Sequence, residues 1–412
     1  MMKNKFVVLD QNKVESDVDS HIKLLVHGQG LFMFNHTDNT CSCIIYFYNK
    51  DNTDGLKIEF TNNSVNVCTI LDNKVLIDKN NISGLSNLKK AYYWFNIDSQ
   101  NQKLHAGIGE ARLDNVIYQY VFSHKYKKFL EDIIEIRICS KSKSLKPFRL
   151  LRDPITKNIP LKIKNIDDLT MNDIANSEYM PKANLSIISQ KLYNCIAGKK
   201  FILDDDDFPD FSKAIEYSII TPKMWCNKML KKKSTEFNKD KPNILETYLR
   251  ITLGDNNGES PGIPYVMEIW PIGHYSPIHN HSEANAIIRV LHGEINVSLY
   301  PFLCAEKDGV KPFNNINFKK DDITWISPTL NQTHKLMNKK TSIETCITIQ
   351  CYMYETENTT HYDYFDYLDI NGNILQYEPD SDMDFISFKN KMKEEWINKL
   401  DICEVGICAH GN

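Results

Sequence analysis

The sequence predicts a mainly β protein with an N-terminal β-sandwich or jelly-roll domain and a β-rich C-terminal domain flanked by helices. Three observations carry that prediction. Short β-branched and aromatic runs alternate with turns containing Asn, Asp and Gly between about 20 and 140. A stretch rich in Lys and Pro interrupts the pattern over 141–182. Beyond it, segments of helical spacing lead into a second series of strand patterns from Leu249 to about Tyr354. A chain of 412 residues suits such a division, because single cores stop growing at roughly 250–300 residues.

Taken in order, 41–48 is an aromatic and β-branched run, and 56–60 and 65–70 alternate at period two. Further strands are expected at 91–97 and 103–108. Cys41 and Cys43 lie at strand spacing and are expected on one side of a sheet. These elements give a first domain at 18–140. Lys141, Lys143, Lys146, Arg149, Arg152 and Lys157 then crowd around Pro147, Pro154 and Pro160, which reads as a solvated linker. The second domain is expected at 183–402, with helices at 185–196, 208–217 and 383–400. Asp204 to Asp207 read as a solvated helix start, where negative charge suits the dipole.

Composition excludes several classes. Apolar content of 42% and charged content of 25% fit a globular protein, and a net charge of -4 gives neither a nucleic-acid footprint nor attraction to an anionic membrane. No apolar run approaches the roughly 18 residues that span a bilayer. The beginning of the chain lacks the apolar core of about 7–15 residues that a secretory signal needs. The 11 cysteines are scattered, without a CxxC pair, and read as reduced thiols; a cytoplasmic location is expected.

The chemistry concentrates in Gly273-His-Tyr-Ser-Pro-Ile-His279-Asn-His281 and, downstream, His334-Lys-Leu-Met-Asn338. Residues two apart on a strand share a face, so His279 and His281 can reach one ion, with His334 arriving from a separate strand. His274, on an expected turn, and His292, at a strand end, are not expected as ligands. The spacing Gly273-x5-His279-x-His281, with Gly293 further on, resembles the first motif of the cupin superfamily, and Pro328 followed by His334-x3-Asn338 resembles the second. The resemblance implies a cupin β-barrel. The glutamate of the common cupin pattern is replaced by Ala286, and Glu283 comes too early to take its place. The implied ligand set is therefore His279, His281 and His334. Three neutral ligands leave the metal's charge uncompensated, which favours anionic ligands such as a thiolate.

Between about 185 and 369 the resemblance narrows to the thiol dioxygenases, cysteine dioxygenase in particular. Tyr248-Leu-Arg250 is similar to that family's Tyr-x-Arg strand, whose arginine grips the substrate carboxylate. Trp270 precedes the histidine motif as in the family and is read as core packing. Pro277-Ile-His-Asn-His281 and Thr333-His-Lys-Leu-Met-Asn338 resemble the two histidine segments. The stretch 344–352 aligns with the strand that ends in the active-site tyrosine, and parity with Glu344 favours Tyr352 over Tyr354. The resemblance implies Fe(2+) as cofactor, with L-cysteine or a related small thiol oxidised by O2 to a sulfinic acid. In that scheme Arg250, Tyr248 and Tyr352 bind substrate, and Arg250 and Tyr352 act in catalysis.

This sequence departs from the family at several places. Ala286 replaces a cysteine that in some members forms a thioether with the tyrosine; Cys351 adjoins Tyr352 but is expected to point away. Gln350 and Thr348, sharing a face with Tyr352, stand where the family has histidine and serine. His361 follows the tyrosine strand as a supporting or structural residue. The alternative is a metal-binding cupin impaired in catalysis that serves as a binding or structural protein; zinc or nickel also suits three histidines. The N-terminal strand Tyr93-Trp-Phe-Asn-Ile97 and the later Ala106-Gly-Ile-Gly109 resemble the β-sandwich module named after farnesoic acid O-methyltransferase. Protein or carbohydrate binding is the role left open for that domain.

Overall fold

The computed structural model of the protein describes residues 6–8, 20–35, 43–61, 64–71, 74–81, 92–140, 149–253, 265–305, 310–354 and 364–408. Two compact units divide the chain, Met1–Asn158 and Ile159–Asn412.

The first unit contains two six-stranded antiparallel sheets packed as a sandwich. Cys43–Tyr48, Gly55–Phe60 and Val65–Leu71 pair in sequence order in one sheet. Tyr92–Asp98 and Lys103–Ile108 are neighbours in the other. The period-two pattern explains the packing: Ile45, Phe47, Leu56, Ile58 and Phe60 are buried, whereas Tyr46, Lys57 and Glu59 between them are half-buried. Aromatic rings join the facing sheets, Phe47 against Phe95 at 5.0 Å and Phe60 against Phe34 at 5.2 Å. Gly107 lets the Trp94 indole lie on the neighbouring strand, since a Cβ there would sit 2.1 Å from the ring. Cys41 falls outside the described residues.

The expected linker contains ordered structure. Within 141–182, Arg149–Leu151 is a strand paired to Gln29–Asn35, and Lys162–Lys164 pairs in parallel with Tyr179–Pro181. A short helix, Met171–Ala175, carries a reciprocal capping box between Thr170 and Asp173. Apolar side chains drive this order: Leu150, Leu161, Ile163 and Met180 are buried, a contribution that the surrounding Lys and Pro concealed.

The second unit is a β-barrel with flanking helices, built from two further six-stranded sheets. One sheet orders Ile323–Ile326, Asn285–His292, Cys346–Met353, Tyr265–Trp270, Leu249–Leu253 and Met383–Asp384. The other orders Asn314–Lys319, Glu294–Tyr300, Thr333–Met337, Ile278–His279, Phe365–Leu368 and Ile374–Tyr377. Helices Ile187–Ile196, Phe211–Ile220, Trp225–Lys232 and Phe385–Cys408 flank the barrel. Leu192, Ile196, Ile215, Phe388 and Met392 share one core with Ile251, Ile269, Ile347, Ile349 and Cys351. Cys346–Met353 is therefore apolar toward the helices and polar toward the barrel, which leaves Thr348, Gln350 and Tyr352 on the interior face.

Two local expectations change. Asp204 meets the expected start of the Phe211–Ile220 helix, accepting from the Ser212 amide in its first turn at 2.6 Å, but two of its neighbours bind the C-terminal helix instead: Asp205 pairs with Lys389 at 2.6 Å and Asp207 with Lys393 at 2.8 Å. Glu344 lies outside the strand in a turn, 45% exposed beside His292, so it sets no register for Tyr352. Among the described residues no helix is long and apolar enough to cross a membrane.

Candidate metal centre

His279 and His334 are Cα partners in adjacent antiparallel strands, and His281 follows two residues on, where the chain turns out of the barrel. That turn places Ser282 and Glu283 at positive φ, and Gln332 holds it by accepting from the His281 amide and donating to the Ala284 and Ser327 carbonyls. The three rings converge until one nitrogen of each lies within 4.8 Å of the others.

Hydrogen bonds at the far side of two rings select the atoms that point inward. His279 Nδ1 donates to the Pro277 carbonyl at 3.0 Å and His334 Nδ1 to the Asn331 carbonyl at 3.1 Å. A carbonyl can only accept, so Nδ1 carries the proton and each Nε2 presents a lone pair. His281 Nε2 lies 3.1 Å from His334 Nε2. Two nitrogens bound at about 2.0–2.1 Å to one ion would sit about 2.8–3.0 Å apart in octahedral geometry and about 3.3–3.4 Å apart in tetrahedral geometry, so the spacing fits a shared metal. Burial and the neighbouring rings keep all three neutral: His279 is pushed down to about 3, His334 by burial to about 4, and His281 well below the ordinary range.

Asn338, which completes the second motif, has a structural part. Its side chain donates to the carbonyls of Trp270 and Glu344, while its backbone exchanges hydrogen bonds with the Gly273-His274 turn. His274 points away from the triad, bonded to the Thr247 carbonyl at 2.9 Å. At the other glycine of the motif, Gly293 has φ +68, and a Cβ there would meet the Thr345 carbonyl oxygen at 2.6 Å.

A cavity of about 230 Å³ opens beside the triad. Tyr248, Arg250, Thr348, Gln350 and Tyr352 all reach its wall, as does Tyr354. The Tyr352 ring stacks on His281 with centroids 5.8 Å apart, a contact that singles it out from Tyr354. Tyr248 stacks on Trp270 at 4.3 Å and is almost fully buried, so its ring is packed as well as cavity-facing. Cys351 turns its Sγ to the Leu192 carbonyl, away from the tyrosine. His361 lies outside the described residues.

Sequence reasoning missed one residue on this wall. Glu268 faces Arg250 directly across the sheet, accepts a hydrogen bond from its Nη1 at 3.1 Å, and is 8% exposed at its side chain. Burial raises the carboxyl above the usual carboxylate range, against the opposing pull of Arg250, Gln350 and Lys233. Arginine does not deprotonate, so its buried charge is balanced by the Glu268 carboxylate. The signal was present: Glu268 is a single acid inside the apolar strand Tyr265–Trp270, and a charge in such a place needs a partner.

No known family pattern and no curated protein matches the chain. Among solved structures, the cupin domain of Schizosaccharomyces pombe Cnp3 is similar at 15% identity and a TM-score of 0.21, over 26% of this chain and 66% of that one. An oxalate oxidase in complex with the substrate analogue glycolate is 16% identical with a TM-score of 0.21, over 26% of this chain and 51% of that one. The galectin LEC-6 of Caenorhabditis elegans is 8% identical with a TM-score of 0.26, over 36% of this chain and 94% of that one.

Proposed function

We propose that the second unit is a non-haem iron thiol dioxygenase, which adds both atoms of O2 to a small thiol and yields a sulfinic acid. L-cysteine is the substrate that the sequence resemblance implies. The observation that carries this reading is an all-imidazole triad on the same cavity as Tyr352 and Arg250. The reaction balances as RSH + O2 → RSO2H: sulfur gives up four electrons, dioxygen accepts them, and the thiol proton ends on the sulfinic acid.

Fe(2+), held by Nε2 of His279, His281 and His334, would supply the redox chemistry and a common centre for thiol and dioxygen. The residues of the chain do the rest. The neutral triad leaves the positive charge to the substrate, which favours binding as thiolate. Tyr352 presents a hydroxyl to the cavity beside the Arg250 guanidinium, which promotes its ionisation less than burial opposes it; the phenol stays protonated and able to donate. The largely apolar walls lower the polarity around the reacting groups.

Oxygen uptake by anaerobically reconstituted Fe(2+) protein, with mass spectrometry of the product from labelled O2, tests the proposal. Two labelled oxygens on sulfur support it; oxygen uptake without sulfinate, or no uptake with any thiol, refutes it.

One observation favours a second reading, a cupin that binds metal without turnover. Gln350, on the cavity wall, stands where the resembling family has a titrating histidine. A carboxamide donates and accepts but does not exchange its charge near neutral pH. Under this reading the protein retains iron, and thiols bind without consuming oxygen.

A further inference from the structure

Arg250 is the residue expected to hold a substrate carboxylate, yet this chain supplies a carboxylate of its own. Glu268 is the Cα partner of Arg250, and the two side chains are joined at 3.1 Å with 13% and 8% exposure. A guanidinium in a buried ion pair has already gained the charge-assisted bond that a ligand carboxylate would offer. A second carboxylate would also meet repulsion from Glu268 in surroundings that screen charge weakly. The next polar residues along the wall, Thr348 and Gln350, are neutral.

The remainder of the cavity points the same way. Beyond the triad its wall is mostly apolar and includes Val290, Ile295, Val297, Leu299, Phe318 and Leu336. Leu336 lies two residues after His334 on the same strand and so continues its inward face. The volume of about 230 Å³ exceeds the ~150 Å³ in which an apolar protein cavity holds benzene. A thiol bound at the triad therefore has an apolar chamber available for its arm and a compensated cation in place of a free one.

Resting on the thiol dioxygenase reading above, we infer that this cavity selects thiols with an uncharged, apolar arm over thiols with a free carboxylate, L-cysteine included. The arm lies along Val290, Val297 and Leu336, and Glu268 is the residue that determines specificity, acting through Arg250.

The test uses the full chain loaded with Co(2+), whose thiolate charge-transfer absorption reports binding without turnover. 2-Phenylethanethiol, L-cysteine and cysteamine are titrated in turn, and the Fe(2+) protein is assayed in parallel for sulfinate. The expected result is that 2-phenylethanethiol binds at least about tenfold more tightly than L-cysteine, the scale of one lost charged hydrogen bond. Glu268→Gln is expected to narrow that gap by strengthening L-cysteine. Equal or tighter binding of L-cysteine by the unaltered protein overturns the inference while leaving the reaction reading intact. Tightest binding by cysteamine also overturns it, because Glu268 would then serve as an anion for a ligand ammonium. The predicted binding order without sulfinate from any thiol supports the selectivity and removes the reaction. The unaltered protein decides the preference for an apolar arm, and a gap that Glu268→Gln, or Glu268→Ala should the first fail to fold, leaves unchanged overturns the role of Glu268.

Discussion

Ala286 and Tyr352 are Cα partners across adjacent antiparallel strands, so the tyrosine stands opposite a methyl group. In the family that the sequence resembles, some members carry a cysteine at the position of Ala286 and join it to the tyrosine. Here the register that would permit such a bond is present and the sulfur is not. Cys351, adjacent in sequence, bonds the Leu192 carbonyl on the opposite face of the strand. Peptides containing Tyr352 are therefore predicted to be free of any thioether. Intact-protein mass spectrometry after turnover should return the unmodified mass, and a species lighter by two hydrogens would count against this register.

Removal of one imidazole should cost the metal. His334→Ala deletes a ligand whose ring is fixed by Asn331 and lies 3.1 Å from His281 Nε2. Losing a supporting residue of a metal site typically weakens affinity by about 10–100-fold, so losing a ligand should exceed that. His274→Ala is the control, since His274 bonds Thr247 and is not part of the triad. Elemental analysis after gel filtration should find iron with the second variant and almost none with the first.

Legibility in the sequence followed the range of the interactions involved. The face shared by Thr348, Gln350 and Tyr352 could be anticipated because strand periodicity fixes it, whereas His281 lies past the end of the Ile278–His279 strand and joins the triad through the turn that follows, not through period two. The strands 56–60 and 65–70 were readable from their alternation: one face is buried and the other is half-wet. The Gln29–Asn35 strand, with Leu31, Phe32, Met33 and Phe34 all buried, has apolar residues on both faces and shows no alternation to read. The partner of Arg250 lies 18 residues away on another strand, and no local pattern announces that pairing. Asp205 and Asp207 find Lys389 and Lys393 across more than 180 residues, so their run looked like a local helix start.

The buried ion pair makes its own prediction for stability. Arg250→Ala strands Glu268 without its cation, and breaking a buried pair from one side typically costs about 3–5 kcal/mol. Replacing both partners by apolar residues of similar size, as in Arg250→Met with Glu268→Leu, leaves no orphaned charge and should recover most of the loss. Urea unfolding of the two variants separates these cases. If the double variant is no more stable than Arg250→Ala, the orphaned Glu268 charge is not what makes the single change costly.

The contacts between Asp205, Asp207 and the C-terminal helix predict an acid-sensitive clamp. Hydrogen bonds from Lys389 hold the Asp205 carboxyl below the usual carboxylate range, and those from Lys393 and Lys389 do the same for Asp207. A carboxyl whose pKa is depressed on folding contributes stability that is complete above its unfolded value of about 4 and disappears as the pH falls through the folded value. Lys389→Met combined with Lys393→Met should therefore lower the urea midpoint at pH 7 and converge with the unaltered protein toward pH 2, where both carboxyls are protonated in either chain. The pairs are partly exposed, so added salt should shrink the difference at pH 7 as well. Curves that stay parallel through the acid range would mean that these lysines stabilise the helix through their alkyl stems, and that the aspartates contribute no charge-dependent bond.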